Sequence, residues 1–120
     1  MIKNLKNIVL GLKDETISMR RDFHQNPELS MEEVRTAQVV AEQLNALGLK
    51  VSTQVGKTGV VGILEGTGPG KTLMLRADMD ALPIKEMNEV PYCSKNDGVM
   101  HACGHDGHMS CLLTVAKILS

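Results

Sequence analysis

MHACGHDGH, at residues 100–108, concentrates metal-binding side chains at one point of the chain. It holds three of the four histidines in 120 residues, together with a cysteine. Imidazole and thiolate are the side chains that bind zinc and other borderline metals best. The glycines let the backbone turn sharply. A helical apolar pattern follows, with Met109, Leu112, Leu113 and Ala116 on one face. The stretch therefore predicts a turn that carries a metal site and leads into a last helix.

A second segment, LRADMDALP at residues 75–83, places two carboxylates just after an apolar run. The run, residues 72–75, predicts a strand buried on both faces. Polar residues at the carboxyl end of such a strand mark the edge of an α/β sheet where ligand sites form. In an extended segment Asp78 and Asp80 point the same way, so they could bind metal, orient a ligand imidazole or accept a proton. The alternative is a surface loop with two solvated charges.

The upstream pattern predicts helices on both sides of a few strands. An amphipathic helix covers residues 3–24 and ends before Pro27. Ser30 and Glu33 form a capping box for a second helix that ends near Gly48. Its buried stripe is Val34, Ala37, Ala41 and Leu44. Residues 50–55 and 60–64 read as strands, and residues 78–104 as irregular. These elements predict an α/β class protein, an incomplete α/β/α sandwich that needs more strands.

Composition and charge limit the classes of partner. The apolar share of 42% and charged share of 22% are ordinary for one globular domain. The formal net charge of −1, without a Lys/Arg cluster, argues against nucleic acid and anionic membranes. The three cysteines indicate a reducing compartment, and no apolar run is long enough for a signal peptide or membrane span. We expect a cytoplasmic protein in which Cys93 and Cys111 are structural.

The sequence supports some of the candidate metal ligands better than others. Cys103 and His105 can converge on one metal because Gly104 permits a turned backbone, and the following helix dipole favours a thiolate. The alternative is a buried structural cysteine beside a surface histidine. The assignment of His101 and His108 is less secure, because three roles are open to each: support of the metal ligands, contact with substrate, or exposure to solvent. His24, at the end of the first helix, is interpreted as a dipole or capping residue.

Four segments in this order resemble the metal-dependent amidohydrolase and peptidase family that contains N-acyl-amino-acid amidohydrolases, hippurate hydrolase and the plant auxin-conjugate hydrolases. They are Arg20-Arg21-x-x-His24-x-x-Pro27-Glu28-Leu29, Thr58-Gly59-Val60-Val61-Gly62, residues 75–83 and residues 100–108. The resemblance covers nearly the whole chain. It implies a three-layer α/β/α sandwich of the zinc-peptidase type, of which this chain is an incomplete, N-terminal portion.

The resemblance also implies the chemistry. Cys103 and His105 would be metal ligands, and Asp80 the catalytic aspartate that supports them. Asp78 stands where the wider peptidase family has a metal-binding histidine, so it is a supporting or substrate residue, like His101 and His108. The implied cofactor is a divalent metal, two per complete site, Zn²⁺ or Mn²⁺ with Co²⁺ or Ni²⁺ as alternatives. The implied reaction is hydrolysis of the amide bond of small N-acyl amino acids, a C–N bond other than a peptide bond.

The chain departs from the family pattern after the metal-binding stretch. The family draws a proton-accepting glutamate, another acidic ligand and further histidines from later segments, but no Glu, Asp or His follows His108. We expect residues 1–120 to be the N-terminal part of the catalytic domain, without the lid and dimerisation domain. Such a chain would carry half of the metal site and would not catalyse the reaction alone.

Three alternatives remain open from the sequence. A structural zinc site could use Cys93, Cys103, His105 and His108. A cysteine hydrolase would use Cys103 as nucleophile and a nearby histidine as base. A non-catalytic fragment would self-associate as a homo-oligomer through the exposed edge of an incomplete sheet.

Overall fold

The computed structural model describes residues 4–120, and that range contains four helices and one two-stranded sheet. The helices are α1 Leu5–Gly11, α2 Lys13–Gln25, α3 Val34–Ala46 and α4 His105–Leu119, and the strands are β1 Lys50–Val55 and β2 Gly59–Ile63. The strands pair antiparallel, and α3 packs on both. Helix α4 packs on α2 and α3. No helix in residues 4–120 is long and apolar enough to cross a membrane.

The first predicted helix forms with one irregular residue. Leu12 separates α1 from α2, and its amide donates to the carbonyl oxygens of both Ile8 and Val9, at 3.2 and 3.1 Å. The hydrogen bonding therefore continues past the irregularity. Helix α2 ends at Gln25, directly before the predicted stop. Residue 3, which the prediction included, lies outside the described residues.

Helix α3 begins differently from the prediction. The capping box of Ser30 and Glu33 is wrong, because Met31 has a positive φ of 64° and the helix starts only at Val34, with no side-chain cap from Glu33. The carboxylate of Glu28 caps it instead, accepting hydrogen bonds from the amides of Arg35 and Thr36 at 3.0 and 2.6 Å. A glutamate six residues before the helix thus satisfies the unpaired amides of its first turn.

The predicted burial in α3 holds at some positions and fails at others. Ala41 is buried, but Val34 is exposed because it stands at the very start of the helix.

The glycine predicted at the C-terminus of α3 is confirmed. Gly48 has φ 81°, its amide donates to Asn45 O, and the Leu49 amide donates to Leu44 O. These are the two bonds of a Schellman motif, which requires the left-handed conformation that glycine adopts most easily.

The predicted buried strand at residues 72–75 is wrong. The sheet in residues 4–120 contains β1 and β2 alone, and the side chain of Met74 is 86% exposed. A strand buried on both faces needs hydrogen-bonded neighbours and a layer on each side, which the described residues do not provide. The irregular conformation predicted for residues 78–104 is confirmed. Two single bridges fix this segment, Leu29 to Ala81 and Leu82 to Met100.

The core lies between α2 and α4. Phe23, Met109 and Leu113 are buried there, as predicted for the apolar face of the last helix. Half-buried apolar residues surround them: Met19, Val39, Val40, Leu44, Ala77 and Met79. Ala77 and Met79 alternate in sequence with Asp78 and Asp80, so their packing turns the two carboxylates away from the core. The core thereby places the acidic segment beside the start of α4.

Candidate metal site

Asp80 holds the ring of His105, the first residue of α4. Nδ1 of His105 lies 2.9 Å from the backbone carbonyl oxygen of Asp80 and 3.0 Å from its Oδ1. A carbonyl oxygen can only accept, so Nδ1 carries the proton, and Nε2 is the ring nitrogen left to present a lone pair to a cation. Histidines that bind metals are oriented in this way, through a carboxylate or carbonyl on the other ring nitrogen. The geometry therefore prepares Nε2 of His105 for a cation.

Asp78 lies on the same side of that ring. Its Oδ2 is 3.9 Å from His105 Nε2, and its Oδ1 accepts hydrogen bonds from Arg76 at 3.1 and 2.7 Å. The hydrogen bond and the positive charge of Arg76 lower the pKa of the Asp78 carboxyl. Both carboxylates of the acidic segment thus meet one imidazole, as their spacing predicted. The ionised Asp78 makes the surroundings of Nε2 negative, which favours a cation.

The turn before α4 exposes the cysteine. Gly104 is the N-cap residue, with φ 111°, a conformation that disfavours any side chain. Cys103 is exposed, so the alternative of a buried structural cysteine does not apply. Its thiol stands directly before the N-terminus of α4. A soft thiolate and an imidazole are a donor pair that suits Zn²⁺ and related cations.

The two less secure histidines occupy different surroundings. His108 is exposed, and its ring centroid is 6.0 Å from that of His105. His101 is buried, and neither of its ring nitrogens has a hydrogen-bond partner among the described residues. Burial lowers the pKa of His101, so its ring is held neutral. A neutral buried imidazole with two unpaired nitrogens is an available donor close to the candidate site.

His24 has a role that the sequence did not reveal. The interpretation as a capping residue is wrong: the side chain is 3% exposed, with Nδ1 2.7 Å from Asp106 Oδ2 and Nε2 2.9 Å from Glu86 Oε1. Its partners lie 82 and 62 residues away in the chain, so local spacing could not show them. The signal that was present is the place of His24 in the first of the four resembling segments.

Glu86, the second partner of His24, is a strongly acidic carboxyl. Its burial alone would raise the pKa, but hydrogen bonds from the Ser94 amide, the His24 ring and the Asn88 side chain outweigh this and lower the pKa to about 2. The bonds from Ser94 and Asn88 measure 2.6 and 3.0 Å. Glu86 is therefore ionised at neutral pH and joins the irregular segment around Ser94 to α2.

Two of the alternative sites do not form. In residues 4–120 no three His, Cys, Asp or Glu side chains converge closely enough to hold a metal, so the structural zinc site that includes Cys93 is absent. No hydrogen bond among these residues joins the Cys103 thiol to a histidine, as a nucleophile and base would require. The Cys93 thiol donates to Asn88 O at 2.8 Å, and the Cys111 side chain is exposed on α4. The structural role expected of both cysteines stays a prediction. What remains is the exposed Cys103 thiol and the His105 ring with Asp78 and Asp80 beside it, donor types that suit a divalent cation as part of its coordination.

Comparison with known proteins identifies the family that the chain resembles. The profile of peptidase family M20/M25/M40 matches residues 74–120. The chain is 51% identical over 120 residues to thermostable carboxypeptidase 2 of Saccharolobus solfataricus, covering 99% of this chain and 30% of the relative. It is 49% identical to hippurate hydrolase of Campylobacter jejuni over 117 residues, 98% of this chain and 30% of the relative. It is 48% identical to N-acyl-L-amino acid amidohydrolase of Geobacillus stearothermophilus over 118 residues, with coverages of 98% and 32%.

A solved structure gives the same result for the fold. The crystal structure of a dinuclear metal-binding peptidase of the M20 family from Bacillus subtilis superposes with a TM-score of 0.85 at 40% identity, over 91% of this chain and 31% of that chain. The fold is therefore a portion of the catalytic α/β fold of this family, as predicted. The chain is homologous to the M20 metal-dependent amidohydrolases and peptidases, and the resemblance is confirmed. It spans about 30% of the length of the curated relatives it matches.

Proposed function

We propose that this chain supplies half of the metal site of a hydrolase that cleaves the amide bond of N-acyl amino acids. Residues 1–120 would be the N-terminal part of its metal-dependent catalytic domain. The observation that carries the proposal is the contact between Asp80 and His105, which fixes the ring through Nδ1 and leaves Nε2 as the nitrogen that can face a cation. Relatives named for hydrolysis of hippurate and of N-acyl-L-amino acids support the substrate class.

Each residue of the candidate site has a role in this proposal. The Cys103 thiolate and Nε2 of His105 hold a divalent cation, Zn²⁺ or Mn²⁺, and Asp80 orients His105 and strengthens it as a ligand. When bound, the cation polarises the scissile carbonyl and acidifies water. Asp78 adds negative charge beside His105. His108, exposed next to it, contacts the substrate, while the buried His101 supports the ligands from behind. A second cation per complete site is supported by the dinuclear relative.

The test is a chimaera in which this chain replaces the matching 118 residues of the Geobacillus stearothermophilus relative. We expect the chimaera to release free amino acid from N-acyl amino acids, in a reaction that a chelator stops, and to cleave dipeptides more slowly. Cys103→Ser should abolish turnover. Cys111→Ser is the matched control, because Cys111 is equally exposed on α4 but lies away from the turn. A folded chimaera that is inactive, or one that remains active with Cys103→Ser, would refute the proposal.

A second candidate is self-association of the chain as a homo-oligomer. Leu73 and Met74 are highly exposed, and Ile63 at the end of β2 is also exposed. Such extended apolar segments pair readily with a second copy. Sedimentation of the chain and of a Met74→Lys variant tests this: we expect oligomers for the first and monomers for the second. Monomers for both would exclude self-association.

The three free cysteines support a reducing, cytoplasmic location.

A further inference from the structure

We propose that His24 is a positioning residue for the metal site: through Asp106 it fixes the first turn of α4 and so the direction of His105. The inference rests on the proposed metal site, but its physical basis is separate. It concerns a cluster of four ionisable residues, the half-buried Arg20 and the buried His24, Glu86 and Asp106, none of which is a proposed ligand.

Asp106 is the anchor of the cluster. Its side chain is 1% exposed and follows His105 directly in α4. Its Oδ2 accepts hydrogen bonds from His24 Nδ1 at 2.7 Å and from Arg20 Nε at 2.9 Å. Its Oδ1 accepts one from the amide of Gly107 at 2.9 Å. The start of α4 therefore cannot rotate without breaking charged hydrogen bonds to α2, and the neighbouring His105 is held with it.

The ring of His24 bridges two carboxylates. Glu86 is ionised and can only accept, so Nε2 of His24 donates to it. Nδ1 lies 2.7 Å from Asp106 Oδ2, which also accepts from Arg20. His24 and Arg20 are thus the two basic side chains that face the buried carboxylates of Glu86 and Asp106. Buried charges persist only when paired in this way, and removing one partner is strongly destabilising.

The cluster joins three parts of the chain at this point. His24 and Arg20 belong to α2, Asp106 to α4, and Glu86 to the irregular segment that also binds the amide of Ser94. Of the two bonds made by His24, only the one to Asp106 leads to His105. The other leads away from the metal site. The two bonds therefore have different functions, and they can be removed one at a time.

Two substitutions of His24 separate these functions. The amide nitrogen of Asn reaches the position of Nδ1, so His24→Asn keeps the bond to Asp106 and loses that to Glu86. The amide nitrogen of Gln reaches the position of Nε2, so His24→Gln does the reverse. Both variants lose the imidazole ring and one of its two hydrogen bonds, so each serves as the control for the other.

The measurement is the affinity of the 120-residue chain for Co²⁺ alone, followed through the absorption of the cobalt–thiolate complex. We expect His24→Asn to bind within about threefold of the parent, and His24→Gln to bind at least about tenfold more weakly, as loss of a ligand-orienting contact does. Equal weakening in both variants, or weaker binding in His24→Asn, would overturn the inference.

A surface pair keeps the inference testable if both His24 variants fail to fold. Arg20 is 37% exposed and bonds Asp106, whereas the adjacent Arg21 is exposed and stacks 4.6 Å above the Tyr92 ring. We expect Arg20→Gln to weaken Co²⁺ binding severalfold and Arg21→Gln to leave it unchanged. Identical affinities in these two variants would contradict the positioning role.

A second readout separates this inference from the proposed function. If the parent binds no Co²⁺, the proposed metal site fails. The positioning role is then read from the ¹⁵N shifts of the His105 ring. The parent and His24→Asn should show a single tautomer with the proton on Nδ1, while His24→Gln should show a mixture. The same single tautomer in both variants would refute the positioning role without reference to any metal.

Discussion

Replacing Glu28 by Ala tests how α3 is anchored beside the candidate site. The Glu28 carboxylate accepts three hydrogen bonds, from the amides of Arg35 and Thr36 and from the Thr36 hydroxyl at 2.7 Å. The backbone carbonyl of Glu28 accepts a fourth, from the amide of Ala81 at 2.8 Å, next to Asp80. One residue therefore caps α3 with its side chain and holds the acidic segment with its main chain.

The cost of Glu28→Ala follows from these contacts. Loss of a helix N-cap destabilises by about 1 kcal/mol. Thr36 is fully buried, so its hydroxyl and amide lose their partner without gaining water. An unpaired buried polar group costs about 1–3 kcal/mol. Since these effects overlap, we expect the free energy of unfolding to fall by about 3 kcal/mol, a large share of the stability of a small domain.

Urea unfolding followed by far-ultraviolet circular dichroism measures this change. Ser30→Ala is the control, because Ser30 is the cap that the sequence pattern predicted but makes no side-chain hydrogen bond within residues 4–120. It should alter stability by less than about 0.5 kcal/mol. The reasoning would be refuted if Ser30→Ala cost as much as Glu28→Ala, since the capping box would then be the true start of the helix.

Three further predictions concern stability. Because the pKa of Glu86 is lowered from 4.5 to about 2, its ionised carboxylate stabilises the folded state fully above pH 4.5, and this stabilisation is lost as the pH falls towards 2. Acid titration of Glu86→Gln should therefore show about 2 kcal/mol less pH-dependent loss of stability than the parent, after allowance for solvent screening. Phe23→Ala should lower the free energy of unfolding by about 3–5 kcal/mol, whereas Val34→Ala, at an exposed position, should leave the urea midpoint unchanged. Gly104→Ala should destabilise by about 1–2 kcal/mol because its φ is 111°, while Gly107→Ala, inside α4 and free of close contacts, should raise the thermal midpoint.

Local patterns predicted the elements that depend on neighbours in the sequence. Helix α4, strand β1 and the Schellman turn at Gly48 need only short-range spacing and a residue that tolerates positive φ. The same holds for Asp78 and Asp80, whose alternation brings both to His105. Such features follow from periodicity, so the sequence was sufficient for them.

Features that depend on distant residues were not predictable in this way. The cap of α3 comes from Glu28, six residues before the helix, and the chain between them includes Met31 with its positive φ. No capping pattern covers so long a separation in sequence. His24 receives its role from Asp106 and Glu86, which only the fold brings together. The apolar residues 72–75 indicated a strand, but a strand exists only with a partner. Tertiary pairing thus decided each of these cases.

The most direct test of the account is the metal content of the purified chain by elemental mass spectrometry after mild dialysis. The account predicts bound zinc or manganese in the parent and in Cys111→Ser, and its loss in Cys103→Ser, because only Cys103 stands beside His105 at the start of α4. Equal metal content in the two cysteine variants, or none in the parent, would contradict the claim that this chain carries a preformed half of a metal site.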